Sequence, residues 1–62
     1  METKFKKECI RRNLTAREVS AKTGIPKRTI HSYFDGSRYP SRTNLKTLRE
    51  KLQIDTAELF DE

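Results

Sequence analysis

The chain is poor in cysteine, tryptophan, glycine and proline, and it lacks long apolar runs. Its 62 residues include one cysteine, Cys9, no tryptophan, two glycines and two prolines. A lone cysteine excludes an intramolecular disulfide and favours a reducing compartment. Because no more than two apolar residues stand in succession, we expect neither a secretory signal core nor a transmembrane helix. A cytoplasmic protein is therefore expected.

Apolar residues are also scarce, since they make up 32% of the chain against 37% charged residues. A chain of 62 residues is near the lower limit for a core without disulfides or metal, so we expect one domain over residues 1–62. An enzyme cleft is not expected at this size. No nucleophile and base pair is visible, and His31, the only histidine, has no suitable metal partner. We therefore expect no catalysis, metal or cofactor.

The charges are divided unevenly along the chain. Residues 1–49 carry 13 basic and 4 acidic side chains, a formal charge of +9, whereas residues 50–62 carry one basic and five acidic side chains. The basic part predicts a polyanionic partner, with the acidic end turned away from it. A solvated surface is the alternative interpretation. It is the simpler one for the basic run over residues 4–12, where long-range steering of a ligand is the functional alternative.

Local signals predict an all-α protein. Five short helical segments fit between turn-forming residues at Asn13, Gly24 to Pro26, Asp35 to Ser37, Pro40 to Ser41, and Gln53 to Asp55. No segment alternates as a strand does. Thr15, with Glu18 three residues later, predicts a capping box at the start of the second helix. Gly24 predicts its end, and a third helix is expected to start at or just before Pro26.

Apolar residues at helical spacing predict the core. The expected inward positions are Phe5 and Cys9, Ile30, Tyr33 and Phe34, Leu45, Leu48 and Leu52, and Ile54. Ile10 could also turn inward. Tyr33 and Phe34 fit core packing better than base stacking, which belongs to single-strand binding proteins. Ser41 is the expected cap of the fourth helix, and Asp55 or Thr56 that of the fifth.

The second and third segments form a helical pair joined by a tight glycine turn. Such helices cross at roughly 90–120°, so the second can protrude and fit the major groove of DNA. The stretch LTAREVSAKTGIPKRTIHSYFDGSRYPS, residues 14–41, closely resembles the helix-turn-helix of Cro and CI-type phage repressors and their XRE-type bacterial relatives. Its most specific marks are Val19, Ser20, Gly24, Ile25 and Ile30, followed by the Gly36 loop and Pro40-Ser41.

The resemblance implies a small five-helix bundle of the lambda-repressor-like kind, with the helix-turn-helix at about residues 15–34. It implies a sequence-specific regulator of transcription, most simply a repressor, in the cytoplasm of a bacterial or phage-infected cell. Carried over by position, the residues expected to contact bases are Lys27, Arg28, His31 and Ser32. Those expected to contact phosphates are Arg17, Ser37, Arg38, Tyr39 and Arg42. An inert surface position is the alternative for His31, and packing on the loop is the alternative for Tyr39.

The expected partner is a double-stranded DNA operator, bound by a homodimer. Dimers of this geometry place two recognition helices about 34 Å apart, so the operator should be palindromic. One alternative is a protein-binding module of the same fold, such as an antitoxin or a recombination cofactor. We expect that class to carry a partner-binding tail, and we expect none after Glu62. A second alternative is a nonspecific basic nucleic-acid binder.

Overall fold

The computed structural model describes residues 3–60, which fold into five helices. They are α1 (Lys4–Arg11), α2 (Ala16–Thr23), α3 (Lys27–Asp35), α4 (Arg42–Leu52) and α5 (Thr56–Leu59). No strand occurs in this part of the chain, and the prediction of an all-α, five-helix fold is confirmed. The predicted domain limits at residues 1 and 62 lie outside the described residues. No helix within residues 3–60 is long and apolar enough to cross a membrane.

Side-chain oxygens cap four of the five helix starts. The Thr15 hydroxyl accepts from the Glu18 amide at 3.1 Å, and the Glu18 carboxylate accepts from the Thr15 amide at 3.3 Å. This is the predicted capping box. Ser41 and Asp55 cap α4 and α5 as expected, and Thr3 caps α1.

The third helix starts one residue later than Pro26. Pro26 has φ −55° and ψ 141°, an extended conformation that places it just outside α3, and its side chain makes no cap hydrogen bond. Gly24 ends α2 in the left-handed region at φ 77°, and its amide donates to the Ser20 carbonyl at 2.8 Å. Ile25 then turns into the core, where it is 5% exposed. The predicted break between α2 and α3 is confirmed.

One hydrophobic cluster joins all five helices and the turns between them. Phe5 is fully buried at its centre, with ring centroids 5.3 Å from Phe34 and 5.1 Å from Phe60. The inward positions expected from the sequence are all buried. Ile10, by contrast, is 54% exposed, because the inner face of α1 is filled by Phe5 and Cys9. The buried Cys9 thiol is free, and burial raises its pKa to about 11, which makes it a poor nucleophile.

Thr56, at the first position of α5, is 1% exposed, and its hydroxyl has no hydrogen-bond partner. An unsatisfied buried hydroxyl is destabilising. Thr56→Val keeps the shape and removes the hydroxyl, so the free energy of unfolding should rise by about 1 kcal/mol. Urea denaturation measures this change. Thr47→Val is the control, because the Thr47 hydroxyl is bonded to the Thr43 carbonyl. An equal rise in the free energy of unfolding of Thr47→Val would show that the gain does not come from removing an unsatisfied hydroxyl.

An ionic cluster joins α1 to the end of α4. The Glu8 carboxylate pairs with Arg11 and Arg12, and Arg12 also donates to the Leu52 carbonyl at 3.2 Å. Hydrogen bonds from Arg11 and Arg12 lower the pKa of Glu8 from 4.5 to about 2. The folded state therefore favours the ionised carboxylate.

This cluster predicts a stability loss in acid. Because the pKa of Glu8 is lower in the folded state, its contribution is complete above pH 4.5 and declines as the pH falls towards 2. Glu8→Gln lacks this contribution at every pH. The melting temperature of the wild type should exceed that of the variant at pH 6, and the two should converge near pH 2. A difference that does not change with pH would contradict the ion-pair assignment.

Candidate nucleic-acid interface

Helix α3 has a buried face and a polar face. Ile30, Tyr33 and Phe34 pack into the core, with Ile30 fully buried. The side chains expected to contact bases lie on the other face, with Lys27, Arg28 and His31 exposed and Ser32 half-buried. The structure therefore places all four candidates where a ligand can reach them.

Two arginines lie on one side of this polar face, one on α3 and one on the loop that follows it. Arg28 and Ser32 line a shallow groove of about 270 Å³ together with Arg38, from the loop after α3. The Ser32 hydroxyl donates to the Arg28 carbonyl at 3.3 Å, so it remains available chiefly as an acceptor. A candidate base contact and a candidate phosphate contact thus flank the same groove.

His31 lies on the other side of the polar face. It lines a separate pocket of about 380 Å³ with Thr15 and Ala16, at the start of α2, and with Lys6 of α1. Its ring meets Phe34 edge-on, with centroids 6.1 Å apart. His31 and the α2 start, which carries Arg17, are therefore neighbours on this surface.

The loop after α3 is tied to the end of that helix. Gly36 is left-handed at φ 81°, and the Ser37 amide donates to the Asp35 carboxylate at 2.8 Å and to the Ser32 carbonyl at 3.1 Å. Hydrogen bonds from Ser37 lower the pKa of Asp35, and the charges of His31 and Lys6 add to this effect. Ser37 and Arg38 therefore occupy defined positions beside α3.

Tyr39 is more tightly engaged than the other candidates. The residue is 61% exposed, but its hydroxyl donates to the Phe60 carbonyl, and the rings of Tyr39 and Phe60 pack edge to face at 5.9 Å. The hydroxyl hydrogen would have to leave this bond to reach a phosphate. In the structure, Tyr39 packs against Phe60 of the core.

The cationic side chains among the candidate residues lack acidic partners in the described part of the chain. Within residues 3–60, no ion pair involves any of the cationic candidates: Arg17, Lys27, Arg28, Arg38 and Arg42. The three acidic side chains of residues 3–49 are engaged locally. Glu8 pairs with α1 arginines, Glu18 caps α2, and Asp35 binds the Ser37 amide. Helix α3 and its loop therefore carry Lys27, Arg28 and Arg38 against one carboxylate, that of Asp35.

Metal binding finds no support in the part of the chain that the structure describes. Residues 3–60 contain no group of three or more His, Cys, Asp or Glu side chains that could hold a metal ion.

The family model for the helix-turn-helix matches residues 5–59, which is most of the chain. The chain belongs to the helix-turn-helix family. The resemblance to XRE, Cro and CI-type proteins is thereby confirmed, and this family consists of DNA-binding regulators that are generally not enzymes. No curated protein and no solved structure matches the chain significantly.

Two side chains that hold this helix-turn-helix in place were not predicted from the sequence. Asn44 of α4 donates to the hydroxyl of the buried Tyr33 at 2.7 Å, which fixes α3 against α4. Asn44 lies four residues before the buried Leu48, so helical spacing could have placed it on the inner face of α4. The Thr3 hydroxyl donates to the Phe34 carbonyl at 2.9 Å. No local pattern indicates that contact, because 31 residues separate the partners.

Proposed function

We propose that the protein is a sequence-specific regulator of transcription, most simply a repressor, that reads the major groove with α3. Lys27, Arg28, His31 and Ser32 contact base edges, and Arg28 is suited to donate its two N–H groups to guanine O6 and N7. Backbone phosphates are bound by Arg17, Ser37, Arg38 and Arg42, with Tyr39 as a packing residue that can join them. The protein acts in the cytoplasm of a bacterial or phage-infected cell.

One observation carries this proposal. The outer face of α3 presents Arg28 and Ser32 to a groove that Arg38 also lines, and neither arginine has an ion pair within residues 3–60. Bases are read by side chains in the major groove, and phosphates hold the protein in register. On the same surface, Arg28 of α3 supplies a guanidinium group for base contact, and Arg38 of the loop supplies one for phosphate contact.

The operator is palindromic, and the protein binds it as a homodimer. The Cα atoms of one chain span 25 × 24 × 20 Å, so a single copy covers less than one turn of DNA. Tight specific binding needs a larger interface than one small module provides. Two copies side by side would place their α3 helices about 34 Å apart, in successive major grooves.

Selection of bound duplexes from a random library tests the proposal. We expect one enriched sequence with two-fold symmetry and half-sites roughly 10 bp apart, centre to centre. Competition between this site and random duplex then measures specificity. An absence of enrichment would identify a nonspecific basic binder. Enrichment of a single asymmetric half-site would overturn the homodimer while leaving major-groove reading in place.

Arg38→Ala should weaken binding to all sequences alike. Loss of one phosphate contact should reduce the magnitude of the slope of log K against log salt by about 1. Fluorescence anisotropy at several salt concentrations gives this slope. Lys51→Ala is the matched control, because Lys51 lines a different part of the surface, beside Arg12 and Leu52. An unchanged slope for Arg38→Ala would remove Arg38 from the phosphate contacts.

A further inference from the structure

The Thr3 side chain connects the first helix to the end of the recognition helix. Its hydroxyl accepts from the Lys6 amide at 3.1 Å and so caps α1. The same hydroxyl donates to the Phe34 carbonyl at 2.9 Å, with the Tyr33 carbonyl at 3.3 Å. One hydroxyl group has one hydrogen and two lone pairs, so it can serve both helix ends at once.

The last carbonyls of α3 need such a partner. The final four carbonyls of a helix have no intrahelical donor. The Ser32 carbonyl is served by the amides of Gly36 and Ser37. The Tyr33 and Phe34 carbonyls come next along the helix, and Thr3 supplies their hydrogen. Thr3, the N-cap of α1, thus serves two of the last four carbonyls of α3.

Thr3 also touches the turn that leads into the DNA-facing loop. A Cβ atom built on Gly36 would lie 3.3 Å from the Thr3 methyl group, so the two residues are closely packed. Thr3 lines a pocket with Ser37 and Arg38, which follow Gly36 directly. Thr3 therefore contacts the turn from which Ser37 and Arg38 leave α3.

We propose that Thr3 is a positioning residue for DNA recognition, whose hydroxyl fixes the end of α3 and the Gly36 turn so that Arg38 reaches phosphate while Arg28 reaches bases. Binding groups act only when supporting contacts hold them close to their productive geometry. This inference rests on the proposed function, because it assigns Thr3 a task in duplex binding.

Two substitutions separate the hydroxyl from the shape of the side chain. Thr3→Val keeps the branched shape and removes both hydrogen bonds, whereas Thr3→Ser keeps the hydroxyl. With both variants folded at 10 °C by circular dichroism, Thr3→Val should bind the selected duplex on the order of tenfold more weakly than wild type. The magnitude of its salt slope should fall by about 1, because Arg38 loses its phosphate. Thr3→Ser should stay within about twofold.

A third substitution separates the two hydrogen bonds without using DNA. Thr3→Asp keeps an acceptor for the Lys6 amide, but its carboxylate has no hydrogen to give to the Phe34 carbonyl. We expect the amides of Ser37 and Arg38 to exchange with solvent about tenfold faster in Thr3→Asp and Thr3→Val than in Thr3→Ser. The comparison of Thr3→Asp with Thr3→Ser applies even if Thr3→Val folds poorly.

Controls distinguish positioning from general destabilisation. Leu52→Val weakens the core at the end of α4 and should leave the affinity and salt slope of the folded protein unchanged. Equal affinities and slopes for Thr3→Val and Thr3→Ser would overturn the inference alone, if the wild type selects a duplex. Equal exchange rates would overturn it as well. A wild type that selects no duplex would overturn the proposed function, and this inference with it.

Discussion

Replacing Phe5 with alanine is expected to remove a large part of the free energy of unfolding at 25 °C. Phe5 is fully buried and packs against the rings of Phe34 and Phe60, so it joins α1 to α3 and to the residue that follows α5. Removing a buried phenylalanine costs about 3–5 kcal/mol. A domain of this size has a total stability of roughly 3–9 kcal/mol, so the loss is comparable to the whole.

Ile10→Ala is the matched control for this prediction. Ile10 lies on the same helix but is 54% exposed, so its truncation should change the free energy of unfolding by no more than about 0.5 kcal/mol. Circular dichroism at 222 nm during urea titration measures both variants. A folded Phe5→Ala protein with a midpoint close to that of Ile10→Ala would show that the aromatic cluster is not the centre of the core.

Arg28→Ala is expected to cost about 1–3 kcal/mol on the selected site and to relax preference at one base pair. Arg28 is exposed on the outer face of α3 and has no ion pair within residues 3–60, so its guanidinium is available to a base. Competitive anisotropy on the selected site and on its single-base variants measures the effect. The loss on random duplex should be much smaller than the loss on the site.

Arg28→Lys tests the geometry of that contact separately from its charge. Lysine keeps the positive charge but lacks the planar fork that matches guanine O6 and N7. The variant should bind random duplex as the wild type does and should lose discrimination at the same base pair as Arg28→Ala. If Arg28→Ala weakens random duplex by the same factor as the site, Arg28 acts through charge alone.

The local parts of the fold were predictable because their signals lie within a few residues. Thr15 and Glu18 are three positions apart, and Gly24 must adopt φ 77° at the point where α2 ends. These signals predicted where α2 begins and where it ends. The burial of Ile30, Tyr33 and Phe34 followed from helical spacing, which also determined the side chains left on the outer face of α3.

The contacts that hold the elements together were not predictable from the sequence. The bond from Arg12 to the Leu52 carbonyl spans 40 residues, and that from Tyr39 to the Phe60 carbonyl spans 21. Any side chain that carries an N–H or O–H group can donate to a backbone carbonyl, so residue types alone do not identify the partner. Whether Ile10 turns inward was left open for a related reason. The space available on the inner face of α1 depends on the packing of other helices.

The lack of ion pairs at Arg28 and Arg38 within residues 3–60 has a consequence for the protein before it meets a duplex. Small anions of the solvent can gather around these exposed guanidinium groups. Nucleic acid then has to displace them. The choice of buffer anion, and multivalent phosphate or sulfate in particular, should therefore change the apparent affinity even when the ionic strength is held constant.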